Sequence, residues 1–194
     1  PGKDSEIYYK MGLAYKHLKN TPAEVDSLER SLGASPANKD AAQSMAEVLY
    51  YRAGQRSRSY LFQDVVDDKG GWPAYLELGK LGLKHGYYLS AQQQFNIGAR
   101  IATKVAETSP DEGAKLEAAE AAAGMSALKA IVKGRRNADL LDEAALELAP
   151  VAEANPENAL VRYAAGLHAV DRGDVDTATA EFTKAMELTP RDST

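Results

Sequence analysis

The chain contains no cysteine among its 194 residues. That removes disulfide staples, thiolate nucleophiles and cysteine-ligated zinc. Histidine is scarce: only His17, His85 and His168 occur, and none has a second histidine or a carboxylate at ligand spacing along the chain. Each is therefore read as a structural residue, and no metal or other cofactor is expected. The phosphate-cradling pattern GxxxxGK[ST], the zinc helix HExxH and the nucleophile turn GxSxG are all missing. No stretch approaches the roughly 18 continuous apolar residues of a membrane helix. The opening PGKDSEIYYK has no apolar signal core. No run of valine, isoleucine and threonine suggests a strand.

What is present favours helix. Alanine, leucine, glutamate and lysine dominate, and a hydrophobic fraction of 44% is enough for a real core. The class expected is all-α. A net charge of −5 argues against a general nucleic-acid binder, which needs a basic surface to displace counterions.

The organising stretch is Ala159 to Pro190, which reads as two helices joined at Gly173-Asp174. Gly166 marks the first helix; Ala178, Phe182 and Ala185 follow at helical spacing in the second. The opening of the chain repeats this frame. Leu28 lies sixteen residues beyond Gly12, as Phe182 does beyond Gly166, and Pro36 and Pro190 each lie twenty-four beyond. Gly79 is a third marker, with Gly86 at its turn and Ala91 and Phe95 in its second helix. Ala46 marks a poorer copy whose turn glycine, Gly54, comes one residue late and whose second helix spans Arg56 to about Val66.

The fourth copy is stretched. Its first helix is expected from Asp111 to about Lys133 with Gly124 as marker, followed by a turn at Gly134-Arg135-Arg136-Asn137. Ala144, Leu148 and Pro156 restore the frame, and Pro150 predicts a kink or break. The copies then cover residues 5–38, 39–71, 72–110, 111–158 and 159–192, a single array over 1–194.

This pattern resembles the tetratricopeptide repeat, on Tyr8, Met11, Gly12, Tyr15, Leu28 and Pro36, on Trp72, Tyr75, Leu78, Gly79, Ala91 and Phe95, on Ala144, Leu148 and Pro156, and on Gly166, Ala178, Phe182, Ala185 and Pro190. The resemblance implies a right-handed superhelix of about five helix pairs, a solenoid whose concave groove is lined by the first helices. It implies a non-enzymatic scaffold that binds a protein or peptide there. Co-chaperones of this family hold a carboxylate in a Lys/Asn/Arg clamp. The corresponding Tyr9, Leu13, Ser44, Pro73 and Glu77 do not supply one.

The groove residues expected from helical spacing are Tyr9, Leu13, Tyr50, Tyr51, Lys80, Lys84, Lys129, Tyr163 and Leu167, with Leu83, Met125 and Leu128 in the same rows. Tyrosine brings contact area at low entropic cost, and lysine suits acidic groups. Two basic clusters, Arg52/Arg56/Arg58 and Lys133/Arg135/Arg136, are read as cations complementing helix ends and solvating turns. Val175 and Met186 lack an obvious cover, so the chain is expected to continue beyond its last helix or to meet a second copy there. The alternative functions are a helical accessory domain of a larger protein or secretion complex, and self-assembly through that end.

Overall fold

The computed structural model describes residues 2–52 and 55–189. Gly54 and Pro190, singled out above, lie outside the described residues. Among these there are ten α-helices, one short 3-10 turn and no strand. The α-helices are α1 Lys3–His17, α2 Thr21–Ala34, α3 Lys39–Tyr50, α4 Arg56–Val66, α5 Trp72–Lys84, α6 Tyr88–Thr108, α7 Glu112–Arg136, α8 Leu141–Ala154, α9 Ala159–Asp171 and α10 Val175–Leu188. Among the described residues, no helix is long and apolar enough to cross a membrane. The chain divides into two compact units, Pro1–Gln94 and Phe95–Thr194, with the division inside α6.

One turn recurs. Lys19, Gly86 and Gly173 all have positive φ, at 56°, 79° and 76°. Each stands seven residues after its marker Gly12, Gly79 or Gly166. The next N–H then reaches back to close the helix end: Asn20 to the Tyr15 carbonyl (3.0 Å), Tyr87 to Gly82 (2.8 Å) and Asp174 to Ala169 (2.9 Å). This is the Schellman closure, which satisfies carbonyls the helix leaves open. In two of the three copies the same residue caps the following helix, Asn20 for α2 and Asp174 for α10, by accepting from Ala23 and Thr177. The end of α4 closes in the same way, with Asp68 at φ 55° and the Lys69 N–H on the Asp64 carbonyl.

Lysine in the left-handed region is strained because its Cβ crowds the carbonyl. Lys19→Gly should therefore stabilise unit 1 by about 0.5–1 kcal/mol after the entropy of the unfolded glycine is deducted. Urea unfolding measures it. A loss of stability would mean that Lys19 does not hold this conformation.

The markers Gly12 and Gly166 do what small residues between packed helices must do. A Cβ built at Gly166 would lie 2.5 Å from Phe182 Cε1, and one at Gly12 would lie 3.0 Å from Leu28 Cδ2. In the third copy, Gly82 of α5 lies against Ala91, its built Cβ 3.1 Å away. Complete burial of a side chain such as Leu28 contributes about 1.5–3 kcal/mol.

In unit 1, α1 packs on α2, α3 on α4, and α2 touches both α3 and α5. The α2–α5 contact skips a helix pair. Gly33 permits it: a Cβ there would meet the Leu81 carbonyl oxygen at 3.2 Å. The core holds Leu28, Leu32, Met45, Leu49, Phe62 and Leu78. In unit 2, α7 packs on α8 and α9, and α9 packs on α8 and α10.

The junction before a first helix also recurs. Asn38 and Asn158, each two residues after a proline, cap α3 and α9 by accepting from Ala41 and Val161. Their amide groups donate backwards: Asn38 to the Ser5 and Ser31 hydroxyls at 2.9 and 3.2 Å, and Asn158 to the Glu120 carbonyl at 2.7 Å. Both asparagines are buried, so each supplies a satisfied polar bolt to the preceding first helix.

The fourth copy departs from expectation. α7 runs on through Gly134 to Arg136, and the turn falls at Asn137 and the 3-10 segment Ala138–Leu140. Gly124 faces the next first helix, where a Cβ would lie 2.5 Å from Leu160 Cβ. Gly134 instead meets α8, at Leu141 and Ala144. Alanine-rich sequence and three basic residues in the last turn favour the extra helical length. α8 continues through Pro150 without a break in secondary structure. Pro150 and Leu146 are both exposed, so the carbonyl that loses its partner faces water.

Candidate interaction surfaces

The residues expected in a groove fall into two groups, one per unit. In unit 1, Tyr50 and Tyr51 form an edge-on pair at 5.3 Å, and the Arg56 guanidinium lies 5.2 Å from the Tyr50 ring centre. Tyr51 is 86% exposed and Tyr50 41%. Tyr9 is half-buried against the core cluster, and Leu13 is half-buried as well. The exposed aromatic surface of the predicted set in unit 1 thus belongs to Tyr50 and Tyr51.

The lysines are engaged within the fold. Lys80 pairs with Glu77 at 3.0 Å, and Lys84 reaches Glu29 of α2 at 2.6 Å. Neither offers a free cation to an acidic ligand, as the sequence reading had expected. Leu83 is buried. The reason is the α2–α5 contact, which turns part of α5 inward.

In unit 2, Met125 and Leu128 are wholly buried and belong to the core, because α7 is covered by both α8 and α9. Lys129 and Leu167 are half-buried. Tyr163 leans on Phe182 with ring centres 5.7 Å apart. These two rings, with Leu160, Ala185 and Met186, line an open apolar groove of ≈ 420 Å³ between α9 and α10. Met186 is 75% exposed and Val175 73%, but only Met186 lines the groove.

The basic clusters carry structure. Arg58 binds Glu77 at 2.8 Å and Glu29 at 3.4 Å, joining α4 to α5 and α2. Burial raises the Glu77 pKa, but Lys80 and Arg58 more than offset this, so its carboxyl sits below the usual range. Lys133 pairs with Glu143 and Glu147 of α8, and Arg135 with Asp171 of α9. These cations therefore stitch helices together instead of solvating turns.

His17 ends α1 on the surface. His168 is held neutral by burial and by Arg172, which lower its pKa. His85 differs. Its side chain is 6% exposed, and its Nε2 lies 3.7 Å from Glu29 Oε2. Asp26 completes a cluster in which one ligand atom from each residue lies within 4.8 Å of the others. Spacing along the chain could not show it, because its members come from α2 and the end of α5.

No family model matches the chain, and no curated protein matches it.

Proposed function

We propose that the chain is an array of tetratricopeptide-type helix pairs, built as a superhelical solenoid, that acts as a non-enzymatic scaffold for a protein or peptide segment. The observation that carries this reading is the apolar groove of ≈ 420 Å³ walled by Tyr163, Phe182 and Met186. Its size suits one or two apolar side chains of a bound segment. Tyrosine and methionine suit it chemically: one is a rigid amphipathic anchor, the other adapts to shape. The exposed Tyr50–Tyr51 pair offers a second anchor of the same kind in unit 1. Recognition would rest on aromatic and apolar contacts, since Lys80 and Lys84, two of the lysines expected to contribute, are already paired.

Peptide display on the whole chain tests it. Selected peptides should bind the Tyr163→Ala/Met186→Ser variant at least about tenfold more weakly, a loss of ~1.4 kcal/mol. Its unfolding midpoint should stay near that of the parent. Failure to select any peptide, or equal binding to the variant, would remove this reading. A second copy of the chain is the competing occupant, since Met186 is both exposed and part of the groove. Concentration-dependent sedimentation abolished by Met186→Ser would favour that alternative.

A further inference from the structure

The geometry points to a divalent transition-metal site in unit 1, formed by His85 Nε2 and the carboxylates of Asp26 and Glu29, with zinc the ion it fits best. Asp26 and Glu29 stand three residues apart on α2, so their carboxylates share one face. His85 follows the last residue of α5 and is turned inward, its side chain 6% exposed. Its Nε2 is buried without a hydrogen-bond partner among the described residues. At 3.7 Å from Glu29 Oε2 it is too far to donate a hydrogen bond.

A buried ring nitrogen facing two carboxylates with no partner of its own can offer a lone pair to a metal in one tautomer of the neutral ring. Burial, with Lys84 and Arg30 nearby, lowers the pKa of His85 and keeps the imidazole neutral, the form that binds metal. Zinc–nitrogen and zinc–oxygen bonds of about 2.0–2.1 Å place neighbouring ligands of a tetrahedron about 3.3 Å apart. The Glu29–His85 separation is close to that edge. Asp26, half-buried and with a ligand atom within 4.8 Å of the other two, supplies the third. The fourth position is left to water, as in zinc sites with three protein ligands.

Cations already lie on these carboxylates: Lys84 and Arg58 on Glu29, and Arg30 on Asp26 at 2.8 Å. Lys84 is 59% exposed on a flexible stem, and Arg30 is 43% exposed. Both can swing into water when a divalent ion arrives. Arg58 is held by Glu77 and stays. The competition sets a clear expectation: Lys84→Met should tighten zinc binding several-fold, because one competing charge is gone.

Zinc chloride titrated into the whole chain by calorimetry tests the site. The chain should take up one equivalent. His85→Ala and Asp26→Asn should each weaken binding at least about tenfold, the low end of what is typical even for outer-shell partners of metal ligands. His17→Ala and His168→Ala should bind as the parent does. Cobalt should give the visible absorption of a low-coordinate ion, and zinc should shift the His85 ring-nitrogen resonances. These last two readings use the unmodified chain, so a poorly folding His85 variant leaves the test intact. No uptake of zinc, or uptake indifferent to His85→Ala and Asp26→Asn, would overturn the proposal.

Discussion

Gly166→Leu should destabilise unit 2 by about 2–3 kcal/mol, near the upper range for overpacking a filled core. Even the first added carbon would lie 2.5 Å from one ring carbon of Phe182 and 2.6 Å from another. The ring cannot bend, and Tyr163, on the same helix as Gly166, also lies against it, with ring centres 5.7 Å apart. Either α9 and α10 separate or Phe182 leaves its rotamer. Gly12→Ala is the informative contrast. Its nearest atoms are the branched end of Leu28, at 3.0 and 3.1 Å, which can shift by a few tenths of an ångström. Alanine also gains up to about 1 kcal/mol of helix propensity over glycine. Gly12→Ala should therefore change stability by less than about 0.5 kcal/mol or raise it.

A double-mutant cycle completes the test. Phe182→Leu should be destabilising alone, yet should recover at least about 1 kcal/mol of the loss in the Gly166→Leu background. Additive losses would show that the two residues do not share one space. Urea unfolding of the four proteins measures this.

Arg58→Met should destabilise unit 1 by roughly 2–3 kcal/mol. Removing one partner from a buried ion pair costs about 3–5 kcal/mol, and the partial exposure of Arg58 lowers that figure. Glu77 would keep Lys80, and Glu29 would keep Lys84, but three helices would lose their common tie. The pH dependence follows from Glu77. Its folded pKa lies below the ordinary carboxylate value, so its contribution is present above that value and is lost as pH falls through the folded pKa. Wild type and Arg58→Met should therefore differ most near neutral pH and converge in acid. A difference that is constant from pH 7 to pH 3 would assign the effect to lost packing of the arginine stem.

Much of the helical order was legible because glycine markers and turn chemistry obey local rules. Gly86 and Gly173 take up the turns expected of them, and the same offset of seven residues from Gly12 falls on Lys19, a turn that no glycine announces. The helix predicted from Arg56 to Val66 has those bounds. Gly166 and Phe182 meet as their spacing suggests.

What failed depended on partners distant in sequence. The burial of Leu83 and the pairing of Lys84 with Glu29 need α2 to touch α5, and no period along the chain encodes that contact. Met125 and Leu128 were read as groove residues because α7 was assigned one packed face, whereas α8 and α9 cover two. Gly134 suggests a helix stop in the sequence, but it packs against Leu141 and α7 runs past it to Arg136. One signal was available and went unread: proline followed two residues later by asparagine, at Pro36-Asn38 and Pro156-Asn158. It marks the capped junction before a first helix in both units.

One turn, set seven residues after a glycine of the first helix, closes that helix in both units. Residue-resolved amide hydrogen exchange tests it most directly. The N–H groups of Asn20, Tyr87 and Asp174 lie outside regular helix but are bonded back to Tyr15, Gly82 and Ala169. All three should exchange at least about a hundredfold more slowly than in an unfolded chain, since protection follows closure of the bond. Protection of Asp174 alone, with Asn20 and Tyr87 exchanging at the unfolded rate, would contradict the repeat and leave Ala159–Leu188 a single helix pair without a copy.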